Sequence, residues 1–448
     1  MYQNDEEVVV SLSGGRKGAQ MGAQVRAVLT ATGVVSAVGD STTTVWEALL
    51  AAKSGIGPIT GFDASAFACS TAAEVRSSAL QQLGINPKET RIMNTHSFML
   101  MKCAIEAYER GGIGLSGFPP EKIGFYAGLG MVDYEVPQIL PAVVKSLKPD
   151  GKVDYRAFYT GAYREIYPLW PLSMLNNIAL SQAAIRLQIK GENVVFSPHA
   201  DSGAQALIEA VRAVAEGKAA AVVAGGVSEK VTPSSIARGV NMGYLSCGTL
   251  SPFGAGRSGT VPGEGAAMFV IERLFTARER GLVPLAGVYG WGSAFEHNQL
   301  HDGEDFTGPT AGAISASMIA ALKMAELSSK DIDVVIAHGD GTRTGDRNEC
   351  QAINGVFSES LSTLKVYASK GALGHLLAAA PALDTFIASC ILREGIIPPT
   401  VNATPVDNDV GFDLVVDKPV KIQARRIMIN AHSCEGQAVS IIVGSVEV

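Results

Sequence analysis

From Val25 onward the chain alternates short apolar runs with longer stretches in which apolar residues recur every three or four positions. That alternation predicts an α/β architecture made of strand–helix–strand units. One unit is legible in detail. Val194-Val195-Phe196 reads as a buried strand, Ser197–Gly203 as a tight turn, and Leu207, Ala210, Val211 and Val214 fall at helical spacing. Glu216-Gly217-Lys218 closes that helix, and Ala219–Ala224 reads as the next strand before Gly225-Gly226. Similar strand patterns occur at Met268–Ile271, Ile332–Ala337, Ile427–Ile429 and Ser440–Val443. The alternation stops over 275–310 and resumes at Ala311, so that stretch is expected to be a passage between two similar halves, 25–280 and 281–448. Residues 1–24 are polar, contain Gly-Gly-Arg-Lys-Gly and show no sustained period, which predicts a flexible N-terminal extension.

The 448 residues exceed the usual ~100–200 of one domain, in keeping with two halves. Charged residues make up 18% of the chain, against a usual value of about 25%. The deficit points to a large core, a large subunit interface, or both. Ala219–Val227 and Leu376–Leu383 are far shorter than the ~18 apolar residues of a membrane span, so no membrane partner is expected. A net charge of −7, with no long block of like charges, gives no footprint for nucleic acid. Six scattered cysteines without a CxxC pair fit reduced thiols, and no secretory signal pattern is visible. The expectation is a cytoplasmic protein.

Candidate chemistry lies where polar groups follow apolar strands, the place at which open α/β sheets build sites. Ser197–Gly203 is one such segment, beside a helix N-terminus whose amides favour negative charge. Ala337-His338-Gly339-Asp340-Gly341-Thr342-Arg343-Thr344-Gly345-Asp346 is the second. Ser369-Lys370-Gly371-Ala372-Leu373-Gly374-His375 is the third, with glycines that permit a tight turn before an apolar helix.

The second segment resembles the His-Gly-Thr-Gly-Thr-x-x-Gly-Asp motif of β-ketoacyl synthases, extended by Glu349, and the third resembles their Lys-Ser-x-x-Gly-His motif. Pro262-Gly263-Glu264-Gly265-Ala266-Ala267 and Thr32-Gly33-Val34-Val35-Ser36, with Trp46-Glu47-Ala48-Leu49 and Ser54-Gly55-Ile56, resemble further blocks of that family. The similarity runs in order from about Val25 to Val446. It implies the thiolase fold, with two similar halves in a five-layer α/β/α/β/α arrangement and a dimer formed through the inner sheets.

Active relatives carry Thr-Ala-Cys-x-Ser-Gly in the first segment, whose cysteine holds the acyl chain. Here the aligned residues are Pro198-His199-Ala200-Asp201-Ser202-Gly203, so Ala200 occupies the nucleophile position. A methyl group cannot attack a thioester, and none of the six cysteines falls in that segment. His338, Lys370 and His375 match the residues that assist malonyl decarboxylation in active relatives. Near the C-terminus, Asn430-Ala431-His432-Ser433-Cys434-Glu435-Gly436 replaces the family's Asn-Ser-Phe-Gly-Phe-Gly-Gly and loses both aromatics.

These losses resemble the chain-length factor, the non-catalytic partner of a type II polyketide or polyene ketosynthase, although that subunit usually carries Gln where Ala200 stands. The resemblance implies no catalytic residue, no cofactor of the chain's own, a cysteine-bearing ketosynthase homologue as dimer partner, and an acyl carrier protein with its phosphopantetheine arm. It also implies that the segment after Gly128 helps line the acyl tunnel, which makes Met131, Val132 and Tyr134 tunnel candidates; the competing role for them is core filling. Two rivals stay open: a condensing enzyme whose cysteine was replaced by alanine, and a malonyl decarboxylase using His338 and His375. Asp346 and Glu349 read as structural hydrogen-bonding groups. His297 and His301 stand at i, i+4, but in a loop-like context, so no metal site is expected.

Overall fold

The computed structural model describes residues 25–76, 93–132, 136–246, 248–296 and 308–446. Its principal elements repeat in order. The first half runs β1 (Ala27–Ser36), α1 (Thr95–Arg110), β2 (Ile123–Leu129), α2 (Asn176–Leu187), β3 (Asn193–Phe196), α3 (Ala200–Ala215), β4 (Ala221–Val227) and β5 (Gly265–Glu272). The second runs β6 (Ala286–Phe295), α4 (Ala311–Ala325), β7 (Val334–Ile336), α5 (Arg343–Val356), β8 (Lys365–Tyr367), α6 (Ala380–Glu394), β9 (Arg426–His432) and β10 (Gln437–Gly444). Strand pairing repeats as well. β2 runs parallel to β3 and β4 as β7 does to β8 and β9, while β1–β5 and β4–β5 are antiparallel, like β6–β10 and β9–β10.

Antiparallel pairing of Ala27–Leu29 with Ala286–Val288 joins the halves into one 11-stranded sheet. Its order is 413–414, β8, β7, β9, β10, β6, β1, β5, β4, β2, β3. The two halves of that sheet face each other across α3 and α6, while α1 and α2 cover one outer face and α4 and α5 the other. This is the five-layer thiolase arrangement.

Layering explains why the strands are continuous apolar runs: both faces are covered. Ile427, Ile429 and Ala431 of β9 point to the central core, and Met428 points to the outer layer of α4 and α5. In β4, Val222 and Ala224 face inward, while Val223 and Val227 face α1 and α2. Met99, Leu100 and Met101 fill that outer layer.

The stretch 275–310 is not a strandless passage. It holds β6, ten residues long and mostly buried. Gly287, Gly290 and Gly292 break its apolar signal, and the packing of α4 accounts for two of them. A Cβ on Gly290 would stand 2.7 Å from the Ala321 carbonyl oxygen, and one on Gly292 would overlap that of Ser317. Gly225 and Gly226 likewise belong to β4, not to a turn after it, because a Cβ there would run into the Ala267 and Ala378 carbonyls.

Candidate active-site cleft

Three loops and one helix end meet at a cleft lined by His199, Ala200, His338, His375, His432 and Cys434, among others, with about 610 Å³ of empty space that is partly open to solvent. The turn after β3 delivers His199 as the N-cap of α3 and Ala200 as its first residue, fully buried. Gly203 allows this approach, since any Cβ there would overlap the Ala378 carbonyl oxygen.

His338 follows β7, and its loop is held by two buried carboxylates. Glu349 accepts the N–H groups of His338 and Gly339, each at 2.8 Å, and the Nδ2 group of Asn430 at 3.0 Å. Asp346 accepts from Phe253 N–H at 2.7 Å and Gly341 N–H at 3.1 Å. Burial raises the pKa of both acids, opposed by these amide donors. Each carboxylate therefore serves as a backbone clamp, in keeping with the structural hydrogen-bonding role expected of it. Thr342 caps α5 by accepting from Gly345 N–H.

Lys370 is buried, and its Nζ donates to the main-chain carbonyl of His338. The chain then turns through Gly374, whose φ of +70° suits glycine, to place His375 in the cleft. The His338 and His375 rings lie 5.1 Å apart, centre to centre.

Backbone donors select the tautomer of both rings. Nδ1 of His338 accepts from His432 N–H at 3.2 Å, and Nδ1 of His375 accepts from Leu377 N–H at 3.1 Å. With Nδ1 accepting, the proton of each neutral ring sits on Nε2. Burial, reinforced by the charge of Lys370, holds both rings well below the usual histidine pKa. They are neutral Nε2–H donors at pH 7, suited to a carbonyl oxygen or an oxyanion.

The loop after β9, residues 433–436, is polar. His432 stands 4.7 Å from His338, centre to centre, and its buried Nε2 has no hydrogen-bond partner. Burial pushes its pKa down to about 3. Cys434 Sγ lies 3.2 Å from His199 Nε2, and Glu435 Oε1 lies 3.7 Å from that same nitrogen.

Two conserved-domain patterns span most of the chain: the N-terminal β-ketoacyl synthase domain matches residues 25–277 and the C-terminal one matches 291–404. The chain belongs to the β-ketoacyl synthase family. A 3-oxoacyl-[acyl-carrier-protein] synthase 2 of Coxiella burnetii (strain RSA 493 / Nine Mile phase I) is 29% identical over 432 residues, covering 94% of this chain and 99% of that protein. Among solved structures, the ishigamide ketosynthase/chain length factor is similar with a TM-score of 0.81 at 25% identity, covering 95% of this chain and all of that one. A β-ketoacyl synthase from Burkholderia phymatum STM815 is similar with a TM-score of 0.82, also at 25% identity and with the same coverage.

Within this ketosynthase fold the structure brings Ala200, His338 and His375 to one cleft, with Lys370 directly behind His338. Met131 and Val132 lie elsewhere. Met131 is 38% exposed and Val132 half-buried, so neither fills the core of this chain, and neither lines the cleft. Tyr134, His297 and His301 fall outside the described residues. Among the described residues no three His, Cys, Asp or Glu side chains are arranged to hold a metal ion, and no helix is long and apolar enough to cross a membrane.

Sequence reasoning missed the meeting of His199 with Cys434. It read both segments as losses relative to the family, one by one. The available signal was that one departure supplies an imidazole and the other a thiol.

Proposed function

We propose that this chain is the chain-length-factor subunit of a type II polyketide or polyene ketosynthase. It dimerises with a cysteine-bearing homologue and shapes the tunnel into which the acyl chain grows while bound to an acyl carrier protein. The observation that carries this reading is Ala200 at the first turn of α3, where a nucleophile would stand. No donor arrangement around a methyl group can supply the missing covalent step. The chain needs no cofactor of its own, since the phosphopantetheine arm belongs to the carrier protein.

Two surface features support a partner. β3 is a sheet edge, with Val194, Val195 and Phe196 only half-buried. The helical segment 136–175 exposes Val136, Leu140, Val144, Tyr155 and Tyr159, a density of apolar side chains that marks an interaction surface. Met131 and Val132 precede that segment in sequence and are proposed to meet the tunnel. The similarity to a ketosynthase/chain length factor structure agrees with the reading. The five described cysteines are all free, which suits the cytoplasm.

One observation favours a second reading, malonyl decarboxylation without acyl transfer: the His338 and His375 donors and the Lys370 contact are intact. Replacement of a single cysteine in an ordinary condensing enzyme accounts for Ala200, but leaves His199, His432 and Cys434 unexplained.

The test is co-purification with a cysteine-bearing homologue, followed by elongation assays on the pair and on each chain. Elongation by the pair and none by this chain alone is the expected result. Condensation by this chain alone, or failure to associate, overturns it; malonyl-thioester decarboxylation by this chain alone supports the second reading.

A further inference from the structure

The vacant position at Ala200 is not the whole chemistry of the cleft. Opposite it, the loop after β9 presents a thiol, and the N-cap of α3 presents an imidazole 3.2 Å away. Cys434 is only partly buried, whereas Cys103, Cys350 and Cys390 are locked in packed layers. Burial holds the His199 pKa below its ordinary value, opposed by Glu435, whose carboxylate lies 3.7 Å from Nε2.

A second observation points to a ligand. His432 lines the same cleft, the residue is 5% exposed, and its Nε2 has no partner in the protein. A buried polar atom without a partner costs about 1–3 kcal/mol, so a group that bonds it there is favoured. The Nε2–H groups of His338 and His375 line the same space. An acyl carbonyl is a group that two Nε2–H donors, the unpartnered His432 ring and a thiol lining the same cleft suit together.

We propose that Cys434 is an acyl-accepting thiol, with His199 as its base, so that this chain takes an acyl group from a thioester donor at a relocated position. The proposal rests on the reading of this cleft as one that receives carrier-bound acyl thioesters. In the step, His199 Nε2 removes the Sγ proton as sulfur attacks the thioester carbonyl. The new C–S bond to Cys434 forms, the C–S bond to the donor thiol breaks, and His199 returns the proton to the departing thiolate. No oxidant or reductant is consumed. Burial, assisted by Glu435, holds the free thiol up at about 12, so deprotonation accompanies attack and does not precede it. Acyl transfer to Cys434 is a separate reaction from carbon–carbon bond formation.

The test incubates the full chain, alone and with its ketosynthase partner, with hexanoyl N-acetylcysteamine thioester, and reads intact mass and peptide maps. The expected result is one hexanoyl group on the peptide containing Cys434. Cys434→Ser and Cys434→Ala should abolish the adduct, and His199→Gln should slow its formation about a hundredfold. Melting curves identify variants that are folded, and the wild-type peptide map decides the question even if a variant is not. No adduct on the wild-type chain, an adduct on another cysteine, or an unchanged rate in folded His199→Gln overturns the proposal. Elongation by the pair is measured in parallel samples that also contain malonyl-acyl carrier protein. If the pair elongates without an adduct on this chain, only the Cys434 proposal falls. If Cys434 is acylated but no pair forms, only the partner reading falls.

Discussion

The main-chain N–H of His432 donates to Nδ1 of His338 across 94 residues of sequence, at 3.2 Å. That bond sets the tautomer of His338, and it comes from the backbone, so the side chain at 432 can change while the donor stays. The loop thus supports its neighbouring histidine through the main chain while presenting an imidazole of its own to the cleft.

The cleft predicts how the purified chain behaves alone. Incubated with malonyl- and acyl-carrier protein, it is expected to form no β-ketoacyl product, because Ala200 has no nucleophilic atom. Mass analysis of the carrier-bound products checks this, and any elongated species would sink the assignment.

Burial of His432 makes stability depend on pH. In the unfolded chain its ring protonates near its ordinary value of about 6.5, and in the folded chain only near about 3. Above pH ~6.5 both states are neutral and the full stability is present. As pH falls below that, only the unfolded state takes up the proton, and stability is lost down to the folded value. At pH 5 the loss from this one group is about 2 kcal/mol. His432→Gln should therefore remove about that much of the change between pH 7.5 and pH 5 in denaturant titrations. Parallel pH profiles for the two proteins would contradict it.

Glu349 holds two amides and one side-chain amide of Asn430 in the interior. Glu349→Ala strands all three donors, and a loss of about 3 kcal/mol is expected. Chemical denaturation measures it. A variant within about 0.5 kcal/mol of wild type would mean that the loop is held by something else.

The apolar face over 136–175 and the open edge of β3 are expected to be covered in solution. Sedimentation at micromolar concentration should find a dimer, with a stable soluble monomer as the contrary outcome.

Met131 is exposed and Val132 half-buried in the isolated chain, a few positions before that apolar segment in sequence. Val132→Trp or Met131→Trp should shorten the products of the reconstituted pair without stopping condensation. If a folded, paired variant makes products of unchanged length, the ruler lies elsewhere.

Where apolar residues run without interruption, as at Val334–Ile336 or Ile427–Ile429, the strand was legible along the chain, because burial on both faces demands such runs. β6 was not, because helix α4 packs so closely that glycine replaces the branched residues by which a strand is recognised. The family motifs, the order of the two halves and the alanine at position 200 are likewise properties of local sequence, readable residue by residue. The pairing of Cys434 with His199 is not such a property. The two residues are 235 positions apart, and neither belongs to a motif that names the other. Only the stacking of the two halves of the sheet around α3 and α6 brings the loop after β9 over the N-terminus of α3. Contact between distant loops follows from packing geometry, which the order of residues along the chain does not display.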